Sequence, residues 1–310
     1  MDQIKVFAPA TVANVACGFD VMGFALEHIG DELTINRTDT PGFTITEITG
    51  CDGLPFQPDK NVATVAAQAL LNATDHNQET GFSFKICKKV MGGSGLGSSA
   101  SSSSAAVYAM NELLGKPFTK QQLVAFAMEG ERAASGLPHA DNVAPSILGG
   151  FALVRSYDPL DVIELDYPSE LKVAVVHPLI EVKTSDSKKI LRREVSLKDA
   201  IIQWGNVGGL VAGLAKPDFD LIGRSLQDVI AEPIRSMLIP LFNDAKSMAL
   251  ESGALGCSIS GSGPSIFALC NDEETAQNIG TQFKDLYTSH DIKANVYLSG
   301  INPRGTEIIE

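Results

Sequence analysis

Positive charge is scarce in this chain. Its 24 lysines and arginines stand against 37 aspartates and glutamates over 310 residues, a formal net charge of −13. A nucleic-acid binder would be expected to present a basic surface, so this balance argues against a nucleic-acid partner. Cysteine is sparse and scattered. Cys17, Cys51, Cys87, Cys257 and Cys270 form no C-x-x-C pair and have no histidines at ligand spacing, which argues against a zinc site or a disulfide framework and fits reduced thiols. No apolar run is long enough to span a bilayer, and the chain opens on the strand-like Ile4-Lys-Val-Phe7 with no basic and apolar leader. The expectation is a cytoplasmic protein without a membrane partner. Internal repeats are missing, and one serine run is the sole low-complexity stretch. What remains, 44% hydrophobic and 20% charged residues, suffices for a large core and two domains.

The most informative segment is Gly92-Gly-Ser-Gly-Leu-Gly-Ser-Ser-Ala-Ser-Ser-Ser-Ser104. Before it, Phe82, Phe84, Ile86 and Lys88 alternate with Ser83, Lys85, Cys87 and Lys89, as in a half-buried strand. After it, Ala100 to Leu114 reads as a helix stopped by Gly115 and Pro117. Strand, glycine turn and helix N-terminus make an anion cradle, because backbone N–H groups and the helix dipole converge where glycine admits a phosphate. A Walker loop is excluded, since Ser98 stands where its lysine belongs. A dinucleotide fingerprint is excluded too, because Gly93, Gly95 and Gly97 are spaced by two. A flexible linker fits poorly with Leu96 inside the run and an apolar helix directly behind it. With so acidic a chain, an anionic nucleotide has to be held by local dipoles, lysines and a divalent cation, and magnesium is implied.

Strand patterns fall at Ile4 to Ala8, Asp31 to Arg37, Phe43 to Ile48, Phe82 to Val90 and Phe151 to Arg155. Helical patterns lie between them at Asn61 to Asn72, Ser99 to Leu114 and Thr119 to Ala134, the last opening on the capping-box spacing Thr119-Lys-Gln-Gln122. The turn cluster Ser156 to Leu160 marks a boundary, giving units 1–160 and 161–310. Beyond it come strands at Leu171 to Val176, Ser265 to Cys270 and Lys293 to Leu298. Helices are expected there at Leu197 to Ala215, Asp220 to Ile230, Ile234 to Glu251 and Glu273 to Tyr287. Strands and helices interleaved without strict alternation indicate an α+β fold with mixed or antiparallel sheets.

Gly95-Leu-Gly-Ser-Ser-Ala100 resembles the phosphate loop of the GHMP kinases. Ala8-Pro-Ala-Thr-Val-Ala-Asn-Val-Ala-Cys-Gly-Phe-Asp20 is similar to their first motif, and Gly256-Cys-Ser-Ile-Ser-Gly-Ser-Gly-Pro-Ser265 to their third, so motifs in family order span most of the chain. Glu131-Arg-Ala-Ala-Ser-Gly-Leu-Pro-His-Ala-Asp-Asn-Val-Ala-Pro145 resembles a signature of the branch that phosphorylates homoserine. The resemblance implies a two-domain fold, with an N-terminal unit like domain 2 of ribosomal protein S5 and a C-terminal ferredoxin-like α/β sandwich. It also implies ATP as co-substrate, L-homoserine as acceptor, a role in threonine biosynthesis and a homodimer.

Residue roles carried over by the resemblance follow. Gly92, Gly93, Ser94, Gly95, Leu96, Gly97, Ser98 and Ser99 wrap the triphosphate, while Asn61 falls near an adenine region but reads equally as a helix N-cap. Ser99 and Glu131 match the magnesium positions. Arg235 takes the amino-acid carboxylate, and Asn14, Asp20, His139 and Asp141 meet the amino or hydroxyl end, with Thr184, Lys188 and Gly261 also on the acceptor side. A loose phosphoryl-transfer transition state needs no dedicated base, leaving Asp141 or His139 as proton relays. Taken singly, each has an ordinary reading: Asp20 and Asn14 as turn residues, Glu131 and Arg235 as helix-surface charges, His139 as a loop imidazole. Lysine at 188 replaces a family arginine and lacks its planar fork, Met91 replaces a proline, and Ala16 a glycine. The alternatives are another GHMP small-molecule kinase, acting on mevalonate, a sugar or shikimate, and a catalytically inactive nucleotide sensor.

Overall fold

Two sheets organise the computed structural model, which describes residues 2–75, 80–180, 190–192 and 194–309. In the first sheet β1 (Gln3–Ala13) and β2 (Met22–Thr38) run antiparallel, pairing Ile4 with Ile35 and Val6 with Leu33 on the buried face. The sheet also holds β3 (Gly42–Thr49), β4 (Gly81–Cys87), β5 (Phe151–Tyr157), β6 (Leu160–Leu165) and β11 (Glu307–Ile308). Its order is β11-β1-β2-β4-β3, with β5 joined to β2 and β6 to β5. Helices α1 (Val62–Asn72), α2 (Ser98–Leu113), α3 (Lys120–Ser135) and α4 (Ala140–Leu148) contribute to its core.

Serine is a modest helix former, yet the serine run lies buried in the middle of this layer. Ser101 Oγ donates to Ala8 O (2.7 Å) and Ser103 Oγ to Val62 O (3.5 Å), so these hydroxyls are satisfied against neighbouring backbone. Their small size also lets α3 approach. A Cβ added at Gly130 would sit 2.2 Å from Ser103 Oγ. The run is therefore a packed helix and no linker.

The second sheet is antiparallel, ordered β10 (Ala294–Gly300), β7 (Lys172–Pro178), β9 (Ile266–Cys270), β8 (Gly256–Ile259). The unbroken apolar run of β7 is explained by burial on both faces. Ala174 and Val176 join a core with α8 (Phe242–Glu251) and α9 (Glu273–Ser289), whereas Val173 and Val175 join one that faces the first sheet. There the Phe24 ring meets Phe151 at 4.9 Å and Phe267 at 6.0 Å, beside Leu210 and Leu214 of α5 (Leu197–Ala215). Each such buried aromatic contributes about 1.5–3 kcal/mol, and this shared core fixes the spacing of the two sheets.

Several expectations are corrected. The strand expected to end at Ala8 continues to Ala13, passing Pro9 at a register shift that accommodates its missing N–H. The helix expected over Asp220 to Ile230 is the shorter α6 (Phe219–Ser225). The one expected from Ile234 to Glu251 divides into α7 (Glu232–Arg235), a 3-10 turn Ser236–Leu238 and α8. The break falls at Pro240 and at Leu241, which has φ 60°. His139, expected in a loop, is the N-cap of α4, a helix hidden in the sequence by Pro138 and Pro145. The turn at Ser156 to Leu160 lies inside the first sheet as the β5–β6 connection, and β11 returns to that sheet, so the sheets do not follow the 160/161 division residue for residue.

Candidate active site

The glycine turn between β4 and α2 takes the form expected of a cradle. Gly93, Gly95 and Gly97 all have positive φ, at 74°, 82° and 65°, a region open to glycine. Gly97 is the N-cap of α2 and no side chain caps the helix, whose first N–H groups have no partner within it. The side chain of Leu96 is buried in the core between the sheets and anchors the loop, leaving its backbone to act. Ser98 Oγ donates to Val90 O (2.8 Å) and Ser94 Oγ accepts from Leu96 N (3.3 Å), so both hydroxyls brace the turn.

The other two glycine motifs close on this one. Ser260 Oγ donates to Gly95 O (2.7 Å) and Ser265 N to Ser94 O (3.2 Å). A Cβ on Gly95 would lie 2.6 Å from Ser260 O, so only glycine fits. From the first motif, Asn14 Nδ2 donates to Gly261 O (2.7 Å), and Gly261 N donates to Ala13 O (3.1 Å). Gly261 therefore lines the cavity with its backbone committed to bracing.

Together the motifs enclose a cavity of about 480 Å³ whose wall includes Gly92, Gly93, Ser94, Gly95, Gly97, Ser98 and Ser99 at the cradle. Asn14, Asp20, Glu131, His139, Asp141, Arg235 and Gly261 line the same cavity, with Asn14 and Arg235 both bonded to Gly261 O beside the cradle. Asn61 lines the wall as well, but its side chain is engaged as the N-cap of α1, accepting from Ala63 N (3.1 Å) and donating to Pro55 O (2.9 Å). Thr184 and Lys188 lie outside the described residues.

On the cavity wall, His139 Nδ1 stands 3.8 Å from Asp20 Oδ1. Asp141, in the first turn of α4, is buried, and its Oδ1 has no hydrogen-bond partner among the described residues. Burial, reinforced by the nearby charges of Asp20 and Glu131, pushes its carboxyl up to about 7. Arg235 is near enough for the charges of Asp20 and Asp141 to act on it, with its guanidinium 4.8 Å from the Phe19 ring centroid and Nη1 donating to Gly261 O (3.1 Å). Buried carboxylates and a buried guanidinium in one pocket suit a ligand that carries both signs.

Glu131 is buried on α3, while Ser99 sits in the first turn of α2; both reach the cavity wall. Among the described residues no three His, Cys, Asp or Glu side chains are grouped to hold a metal alone. One hydroxyl and one carboxylate nevertheless fit magnesium, which takes oxygen donors and fills its remaining positions with water and phosphate oxygens.

Three features went unread in the sequence. Lys88 Nζ forms a buried ion pair with Asp31 and donates to Ser98 O (2.7 Å) and Ser102 Oγ (2.9 Å), tying the cradle's floor to β2. The signal was present, since Lys88 continues the inward-facing series Phe82, Phe84, Ile86. Tyr157 OH donates to Asp20 O (2.8 Å) and accepts from Ala140 N (3.4 Å), joining the first motif to α4. Asn142 Oδ1 accepts from Thr11 Oγ1 (2.8 Å) on the cavity wall. The last two depend on partners more than a hundred residues apart.

Known proteins resemble this chain in sequence and fold. Residues 61–150 match the family model of the GHMP kinases N terminal domain, and residues 210–289 match that described as GHMP kinases C terminal. The homoserine kinase of Chloroherpeton thalassium is 47% identical over the whole of both chains, and that of Pyrococcus furiosus is 41% identical over 96% of this chain and 98% of its own. The crystal structure of homoserine kinase from Cytophaga hutchinsonii superposes with a TM-score of 0.96 at 52% identity, covering 100% of this chain and 98% of that one. Mevalonate kinase of L. major, at 16% identity and TM-score 0.70 over 95% of each chain, shares the fold.

Proposed function

The chain belongs to the GHMP kinases and, among them, to the homoserine kinases, and we propose that its cavity seats ATP against Gly92–Ser99 with L-homoserine held between Arg235 and the Asp20, His139 and Asp141 cluster. A homoserine kinase transfers the γ-phosphoryl group of ATP to the side-chain hydroxyl of L-homoserine, giving O-phospho-L-homoserine and ADP, a step of threonine biosynthesis.

The observation that carries the reading is the polarity of the cavity. The glycine turn offers backbone donors at a helix N-terminus, which suit phosphate. The same wall offers a guanidinium within electrostatic reach of the Asp20 and Asp141 carboxylates, which suits a zwitterion. Arg235 takes the carboxylate; Asp20 and Asp141 take the ammonium, leaving the hydroxyl aimed toward the cradle beside Asn14 and His139. Positioning then supplies much of the rate, because the transition state is loose and asks for alignment and charge neutralisation more than a strong base. Lys88, Ser98 and Ser102 keep the cradle in place beneath the triphosphate. Ser99 and Glu131 would hold magnesium, which when bound neutralises charge on the β- and γ-phosphates. Thr184 and Lys188 belong on the acceptor side by their place in the sequence motif, Lys188 as a second cation for the carboxylate. We further propose a homodimer, tested by sedimentation, and a cytoplasmic location; no helix among the described residues is long and apolar enough to cross a membrane.

ADP release measured with homoserine, mevalonate, galactose and shikimate in parallel tests the assignment. Turnover with homoserine roughly a hundredfold or more above the others is expected, the discrimination available to a site whose buried polar groups would otherwise stay unpaired. Preference for a neutral sugar would overturn the acceptor assignment, and ATP binding without turnover on any of the four would point to a sensor.

A further inference from the structure

The acceptor loop is held in a conformation that its residues disfavour. Asn14, Val15, Ala16 and Asp20 have φ of 72°, 41°, 56° and 57°, a left-handed region that β-branched residues such as Val15 avoid. Backbone of this kind persists only where its surroundings fix it. From α5, the buried Gln203 donates through Nε2 to Cys17 O (2.8 Å) and to Asp228 Oδ1 (3.1 Å), and its Oε1 accepts from Val229 N (3.1 Å). One amide thus fastens the middle of the loop to the segment that leads into α7.

Asp228 completes the attachment. Its Oδ1 accepts from Ile230 N (2.8 Å) and Ala231 N (3.0 Å), and its Oδ2 from Glu232 N (2.8 Å). So short a helix as α7, which ends in Arg235, cannot sustain itself in water. The carboxylate of Asp228 gathers the N–H groups at its start. A circuit results: Cys17 to Gln203, Gln203 to Asp228, Asp228 to α7, and Arg235 back onto Phe19 of the same loop. Neither Gln203 nor Asp228 is among the residues lining the cavity.

We infer that Gln203 and Asp228 are positioning residues for acceptor recognition, setting the guanidinium of Arg235 against the Asn14–Asp20 loop at the angle a carboxylate requires. The inference rests on the reading of Arg235 as the carboxylate ligand. A planar fork engages a carboxylate through two directed bonds, so a small rotation of α7 weakens recognition of the carboxylate and leaves ATP binding alone.

The test compares homoserine with 3-aminopropan-1-ol, which keeps the amine and the hydroxyl but lacks the carboxylate, in wild type, Gln203→Met, Arg235→Met and the double variant. In Gln203→Met the KM for homoserine is expected to rise about tenfold, the size of one lost hydrogen bond to a charged system. The kcat/KM for the amino alcohol, whose amine and hydroxyl also meet the loop that Gln203 fastens, should fall by no more than about threefold, the KM for ATP should stay within about twofold, and Gln203→Met should add no more than about threefold in the Arg235→Met background. Equal losses on both acceptors and ATP, or a further loss of about tenfold in that background, would overturn the inference. If Arg235→Met alone leaves the preference for homoserine intact, the carboxylate reading fails first and the inference falls with it. Asp228→Asn is expected to follow the same pattern, and decides the matter if Gln203→Met is not recovered folded by circular dichroism.

Discussion

At the scale of single residues, Asp141 and Lys88 illustrate opposite uses of burial. The Asp141 carboxyl titrates at about 7 in the folded chain because burial and two neighbouring carboxylates disfavour its charge, against about 3.9 in an unfolded one. The folded state therefore binds a proton that the unfolded state has lost between those values. The resulting penalty is absent below about pH 4, grows as pH rises and is complete above about pH 7. Removing it by Asp141→Asn is expected to raise the melting midpoint by roughly 2–4 °C per kcal/mol relieved, and by more at about pH 8 than at about pH 5. The same change should lower kcat/KM for homoserine by about 100-fold, the size of a lost charged hydrogen bond to the ammonium, with the KM for ATP little altered. In wild type, kcat/KM for homoserine should climb with pH through about 7, and this rise should vanish in Asp141→Asn. A flat wild-type profile would count against an ionised Asp141 in the acceptor site. Lys88 is paired, and its pairing with Asp31 is what makes burial tolerable. Lys88→Met strands that carboxylate and is expected to lose about 3–5 kcal/mol in urea unfolding.

Among elements, the cradle and its helix show how close approach, more than propensity, selects residue type. Gly93 and Gly95 share a positive φ, but a Cβ at Gly93 meets open space, while one at Gly95 meets backbone of Ser260 and Gly263 at 2.6 and 2.9 Å. Gly93→Ala should therefore lose only the conformational preference, about 1–2 kcal/mol. Gly95→Ala should lose well beyond that together with ATP binding, a contrast readable by urea unfolding and nucleotide titration. Glycine spacing was legible from the sequence because it is local. The same holds for the Thr119 cap, whose side chain and that of Gln122 bond reciprocally as their spacing indicates, and for Asn61 as a cap. By contrast, α4 was hidden because Pro145 sits inside it. The division of α7 from α8 went unread because Pro240 is a weak cue beside the apolar periodicity that runs past it on both sides.

For the whole molecule, the sequence carried the motifs but not their meeting. Nothing in the spacing of Asn14, Gly95 and Gly261 says that they converge, since the convergence depends on the core around Phe24, Phe151 and Phe267 that spaces the sheets. Tyr157 and Gln203 were unreadable for the same reason, each joining segments 137 and 186 positions apart. The two-sheet α+β architecture was legible because alternation and run length are properties of each strand.

The bonds from Ser260 to Gly95 and from Ser265 to Ser94 make the glycine turn a seam between the two sheets. Catalytic competence and global cooperativity are then one property, because neither half can loosen while the other keeps its ligand geometry. Loss of turnover in rising urea should track loss of ellipticity at a single midpoint, and ATP should shift both curves together. An enzyme inactivated well before its secondary structure melts would mean that the seam opens on its own.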